Sequence, residues 1–133
     1  MTRINCIPPR ELTDAHLGAE YRELPRIFAL VAAAVARGEK PDGRRNPKEY
    51  VLGPGHVRFF YPRLTYCAKR FAQIVIECRA RGRAVNFFSL PACIDTIPAE
   101  WWGDWTPDIT AQALNRSRIS QRLTTAIRKA TAP

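Results

Sequence analysis

Leu17, Tyr21, Leu24, Phe28, Val31 and Val35 recur at alternating spacings of four and three residues. At 100° per residue these positions form one stripe, so the stretch is predicted to be an amphipathic helix burying that stripe. Arg22, Glu23 and Arg26 project from its other side. Thr13 or Asp14 supplies a cap, and Gly38 a stop after Arg37. Pro25 falls inside this span, and since the apolar stripe continues past it, a single kinked helix is expected.

The same reasoning gives two more helices. Leu64 to Arg81 places Leu64, Cys67, Phe71, Ile74, Val75 and Cys78 on one side, with Gly82 beyond its end; Lys69, Arg70, Arg79 and Arg81 are expected to make its other surface basic. Thr106-Pro107-Asp108 reads as a cap, a first-turn proline and an acid, opening a helix that runs to about Leu123 or beyond. On it, Arg118 and Arg122 share a face expected to point away from Ile109 and Ala113. Pro8 and Pro9 keep residues 1–11 extended. Residues 38–62 and 83–105 are long connections, and Thr124 to Pro133 is expected to be a flexible tail. No strand pattern is present. The expected architecture is all-α: a single compact domain over residues 1–133, with three main helices and long irregular loops.

Charge narrows the function. Lys and Arg number 21 against 12 Asp and Glu, a net charge of +9, which favours a polyanionic partner, most commonly nucleic acid. No apolar run approaches membrane-spanning length, and the first residues lack the apolar segment of a signal peptide, so a cytoplasmic protein without a membrane partner is expected. The four cysteines (Cys6, Cys67, Cys78, Cys93) are far apart, with only His16 and His56 to join them. That is poor metal-ligand spacing, and buried free thiols are expected instead. Phe87, Phe88, Trp101, Trp102 and Trp105 in the 83–105 connection suit either base stacking or closure of the core. Gly53 and Gly55 make turns; the strand and Gly-Lys-Ser/Thr of a phosphate loop are missing.

Thr2 carries chemistry of its own. Its small side chain suits removal of Met1, which leaves an α-amine with a pKa of roughly 7.7–8.0. A useful fraction of such an amine is neutral and nucleophilic at cellular pH, whereas a lysine would first need its pKa lowered.

Met1-Thr2-Arg3-Ile4-Asn5, His16-Leu17 and Ala19-Glu20-Tyr21-Arg22-Glu23-Leu24-Pro25-Arg26 together resemble the phage-type pyrimidine-dimer DNA glycosylase/AP lyase family. The likeness continues through Leu52-Gly53, Gly55-His56-Val57, Phe59-Phe60-Tyr61, Ile97-Pro98 and Gly103-Asp104, up to about Leu123. The resemblance implies a compact α-helical domain whose extended N-terminus passes between helices. It implies that the Thr2 amine is the nucleophile and Glu23 the catalytic carboxylate. It assigns DNA contacts to Arg3, Arg22, Arg26, Arg118 and Arg122, and places His16 near the active site. It implies neither metal nor cofactor, and a substrate of double-stranded DNA carrying a lesion or an abasic site. A monomer is expected.

One departure stands out. Family members acting on pyrimidine dimers carry a Trp- and Tyr-rich C-terminal segment, whereas residues 124–133 here contain no aromatic residue. The same chemistry on other damaged or modified bases, or on abasic sites alone, is therefore an alternative. A basic module that binds distorted duplex without chemistry is another.

Overall fold

The computed structural model describes residues 3–131. Thr13 opens the first helix, its Oγ1 accepting the His16 amide at 3.2 Å, and α1 runs Asp14–Glu23. Pro25 has no amide hydrogen to give the Tyr21 carbonyl, and the ladder breaks there. Leu24 and Pro25 keep helical dihedrals, but the Ile27 and Phe28 amides reach back only three residues, to Leu24 O and Pro25 O at 3.1 and 3.3 Å. The single kinked helix expected from the sequence is thus two helices, α1 and α2 (Arg26–Ala36), joined by a tight turn. The stripe survives the break: Leu17, Tyr21, Leu24, Phe28 and Val31 are all buried.

Within the 38–62 connection a one-turn helix, α3 (His56–Phe59), starts at Gly55. Gly55 has φ of 87°, and a Cβ there would meet Pro47 at 3.0 Å, so a side chain is excluded on two grounds. α4 (Leu64–Ala80) buries all six residues of its expected apolar face. It ends in a left-handed Gly82, with the Arg83 amide returning to Cys78 O at 2.9 Å and the Gly82 amide to Arg79 O at 3.0 Å. Arg70 departs from expectation: it is buried within the fold, paired with Glu20 of α1.

The 83–105 connection holds two short 3-10 turns, Ala92–Thr96 and Ala99–Trp101. Its tryptophans serve the core. Trp101 is buried, Trp102 stacks on Phe28, and Trp105 packs against Tyr50, Phe59 and Phe60. The last helix, α5, spans Ile109–Thr131. Its cap is Asp108, whose Oδ1 accepts the Ala111 amide at 2.7 Å, so Thr106 and Pro107 precede the helix. Ile109 is 86% exposed, contrary to its expected place on the packed face; Ala111, Asn115 and Ile119 form that face instead. The helix continues through the segment expected to form a tail as far as Thr131, with the side chains of residues 120–131 exposed. Among the described residues there is no strand, only an isolated bridge between Arg63 and Trp102. Among the described residues, no helix is long and apolar enough to cross a membrane.

The helices close around the N-terminal segment. Residues 3–8 are extended as expected, but Pro9–Glu11 forms a 3-10 turn, since a proline in the first position sacrifices no bonded amide. Ile4, Asn5, Cys6 and Ile7 are buried between α1, α4 and α5. Their polar backbone needs partners, and side chains from each surrounding helix supply them. Asn115 Oδ1 accepts the Cys6 amide at 2.7 Å, and Asn5 O accepts the Tyr66 hydroxyl at 3.0 Å. His56 Nε2 accepts the Ile4 amide at 3.0 Å.

That last contact fixes the His56 proton. With Nε2 accepting, Nδ1 carries the hydrogen and donates to Val51 O at 2.8 Å, so the ring is neutral. Burial lowers its pKa to about 4, from an ordinary 6.5. A pKa depressed on folding contributes stability above the unfolded value, lost as pH falls toward the folded one. Stability should therefore drop by about 2 kcal/mol between neutral pH and pH ~5 on account of His56. Urea titrations across this range would show the drop in the wild type and a flatter profile in His56→Asn. Equal slopes would contradict the assignment.

Cys6, Cys67 and Cys78 are buried free thiols, and Cys93 is a half-buried one. Burial pushes Cys6 up to about 11 and Cys67 further, so neither is a thiolate at neutral pH.

Candidate active site

α1, the N-terminal segment and α5 leave a cleft of about 320 Å³ between them. Its α1 wall is Ala15, His16, Ala19, Glu20 and Glu23, residues that share one side of a 3.6-residue helix. Alanines at 15 and 19 keep that wall low. Arg3 and Asn5 come from the N-terminal segment, and Arg118, Ile119 and Arg122 from α5. Arg118 and Arg122 lie about 40° apart on α5, both on the same side of the packed Ile119, so they reach the cleft together.

Two carboxylates reach the cleft, and their surroundings separate them. Glu20 is 1% exposed and fully engaged: Arg70 Nε donates to one oxygen at 2.9 Å and Nη2 to the other at 3.1 Å. Asn5 Nδ2 donates to Glu20 at 2.7 Å, and the Asn5 amide at 3.3 Å. Asn5 Oδ1 in turn accepts from Asn115 Nδ2 at 2.8 Å. Glu20 is therefore committed to holding the N-terminal segment. Glu23 is half-buried and, among the described residues, has no ion-pair partner. It is the carboxylate left available for chemistry.

The remaining charges in the cleft are positive. Arg3, Arg118 and Arg122 have no ion-pair partner among the described residues. Burial first, then the neighbouring Arg122 and Arg118, lowers the Arg3 pKa. Arg3 Nη1 is buried and has no hydrogen-bond partner among the described residues, an arrangement that costs free energy until an acceptor arrives. Three convergent guanidiniums and an orphaned donor make an anion-binding wall. His16, whose Nδ1 lies 2.7 Å from Thr13 Oγ1, has its pKa lowered by burial and then by Arg122 and Arg3. Its imidazole is therefore predominantly neutral at pH 7.

Of the residues singled out in the sequence, the cleft unites Arg3, His16, Glu23, Arg118 and Arg122. Arg22 and Arg26 are exposed and stand outside its walls. Thr2 lies outside the described residues. The polar set of Asn5, Glu20, Arg70 and Asn115 was not anticipated. A signal existed for the two charges, because Glu20 lies three residues after Leu17 and four before Leu24, and Arg70 three after Cys67 and four before Ile74, each bordering its apolar stripe. The described residues contain no group of three or more His, Cys, Asp or Glu side chains disposed to hold a metal ion.

A family model for pyrimidine dimer DNA glycosylases matches residues 1–89. The match takes in Thr2, Arg3, His16, Arg22, Glu23 and Arg26; Arg118 and Arg122 lie beyond it.

Proposed function

This chain belongs to the pyrimidine dimer DNA glycosylase family, and from that membership we propose that it couples base excision to abasic-site lyase chemistry through the Thr2 amine. Membership implies pyrimidine dimer DNA glycosylase activity and a DNA substrate. The observation that carries the finer reading is the cleft uniting Arg3, one peptide bond from Thr2, with Glu23, which has no ion-pair partner among the described residues.

The chemistry runs as follows. With Met1 removed, the neutral Thr2 amine attacks C1′ of the damaged nucleotide. The glycosidic bond breaks, its electron pair leaving with the base, and the sugar ring opens to an imine on Thr2. The cationic imine acidifies the C2′ proton. Loss of that proton expels the 3′ phosphate by β-elimination, and water then releases the sugar from the amine. Glu23 stabilises the cationic intermediate and handles the proton transfers. Arg3, Arg118 and Arg122 hold the phosphates that bring C1′ into the cleft, and Arg22 and Arg26 extend that contact over the exposed surface. His16, held neutral, supports the same wall without adding charge. Reaching C1′ within a duplex requires the DNA to be distorted around the lesion, with a base opposite it flipped out of the stack. The working unit is a cytoplasmic monomer of one domain, and neither metal nor cofactor enters the scheme.

Defined duplexes test this reading. Strand scission is expected both at a cyclobutane pyrimidine dimer and at an abasic site. Scission at the abasic site alone would remove dimer excision and leave a lyase, in line with the missing C-terminal aromatics. Salt-sensitive binding without scission of either would contradict the chemistry altogether.

A further inference from the structure

Gly18 leaves a bare stretch of backbone on α1, and two arginines reach over it. A Cβ at this position would lie 2.5 Å from Arg83 Nη2 and 3.2 Å from Arg22 Nη1. The two guanidiniums are thus no more than about 6 Å apart, close enough for like charges to repel. No protein anion compensates them: among the described residues neither arginine has an ion-pair partner. Their positions are nonetheless built. Arg22 is carried by α1. Arg83 follows the left-handed Gly82, and its amide is bonded to Cys78 O at the end of α4. Four residues on, the chain is tied down again, as the Tyr21 hydroxyl accepts from the Phe87 amide at 3.0 Å and donates to Phe87 O at 2.8 Å.

The pair also lies beside the cleft. At 100° per residue Arg22 is about 20° around α1 from Ala15, a wall residue, and Gly18 about 60° from it. An anion held here would sit on the flank of whatever occupies the cleft.

We propose that Arg22 and Arg83, meeting over Gly18, form a clamp for one backbone phosphate of the DNA duplex. The proposal rests on the DNA reading above and adds Arg83 and Gly18 to it. A phosphodiester places two charged oxygens between the guanidiniums, turning their mutual repulsion into paired attraction. Any side chain at position 18 would push the far end of Arg83 aside and open the clamp.

Binding to a duplex carrying a stable abasic analogue, followed by fluorescence anisotropy over a series of sodium chloride concentrations, tests the clamp. Each lost phosphate contact lowers the slope of log affinity against log salt by about 0.9. Arg83→Gln is expected to show that loss, and Arg83→Lys to retain most of the slope. Gly18→Ala should weaken binding in the same way while its Tm stays level or rises, because alanine favours the helix more than glycine does. A purely structural role for Gly18 would not lower affinity without lowering Tm. Wild-type slopes in both Arg83→Gln and Gly18→Ala would overturn the clamp and leave the DNA reading intact. Wild-type binding that ignores salt would overturn both.

Discussion

Arg70→Met is expected to destabilise the protein by about 3–5 kcal/mol, a large share of the roughly 5–15 kcal/mol that holds a domain together. The size follows from burial: Arg70 is 3% exposed and Glu20 1%. Removing the guanidinium leaves the Glu20 carboxylate charged, desolvated and opposed only by the two hydrogen bonds from Asn5. It also strips Ile7 O of the bond it receives from Arg70 Nη1. Adding Glu20→Gln removes the stranded charge while keeping an oxygen acceptor for Asn5. The double variant should therefore recover a substantial part of the loss. Replacing the pair by two apolar residues should recover less, because Asn5 would then lose its acceptors. Urea denaturation of the four proteins measures these differences; a loss below about 1 kcal/mol for Arg70→Met would show that the pair is not the anchor described here.

Glu23→Gln should have the largest effect on activity, a fall of about 10²- to 10⁴-fold in single-turnover strand scission with duplex binding retained. The substitution keeps the side chain's shape and removes its charge and basicity together. Glu20 cannot stand in for it, although it lines the same cleft, because its oxygens are taken by Arg70 and Asn5. Scission within a few-fold of wild type would assign the proton transfers to another group.

The sequence and the structure agree most closely where burial follows helical period. The apolar faces of α1, α2 and α4 were legible because each buried side chain recurs every three or four residues, whatever it packs against. Helix ends were less legible. Leu24 and Pro25 keep helical dihedrals, so the break between α1 and α2 lies in which amides find a partner, and the apolar pattern runs through it unmarked. Thr106 and Asp108 are both good caps, and only the Ala111 amide reveals which was used. Arg70 belongs by charge with the basic Lys69, Arg79 and Arg81, yet it lies only about 40° around α4 from Ile74, at the border of the apolar stripe. Recognising Glu20 as its partner required knowing that α1 packs against α4.

The cleft was legible in a different way. No spacing rule links Arg3 and Glu23 to Arg118 and Arg122, which approach from the far end of the chain. Their grouping was implied by family resemblance, and the fold accounts for it by threading residues 3–7 between α1 and α5. Asn5 and Asn115 make that passage possible by satisfying buried backbone, a duty that one residue type at one position cannot announce. Arg83 escaped notice because its role depends on the absence of a side chain at Gly18.

In the proposed reaction the Thr2 amine forms the covalent intermediate. The most direct test is reduction by borohydride during reaction of N-terminally processed protein with an abasic duplex, followed by peptide mass mapping. A reduced sugar adduct on Thr2 is the predicted result. An adduct on a lysine, or none at all from protein whose Thr2 amine is verified as unblocked, would contradict it.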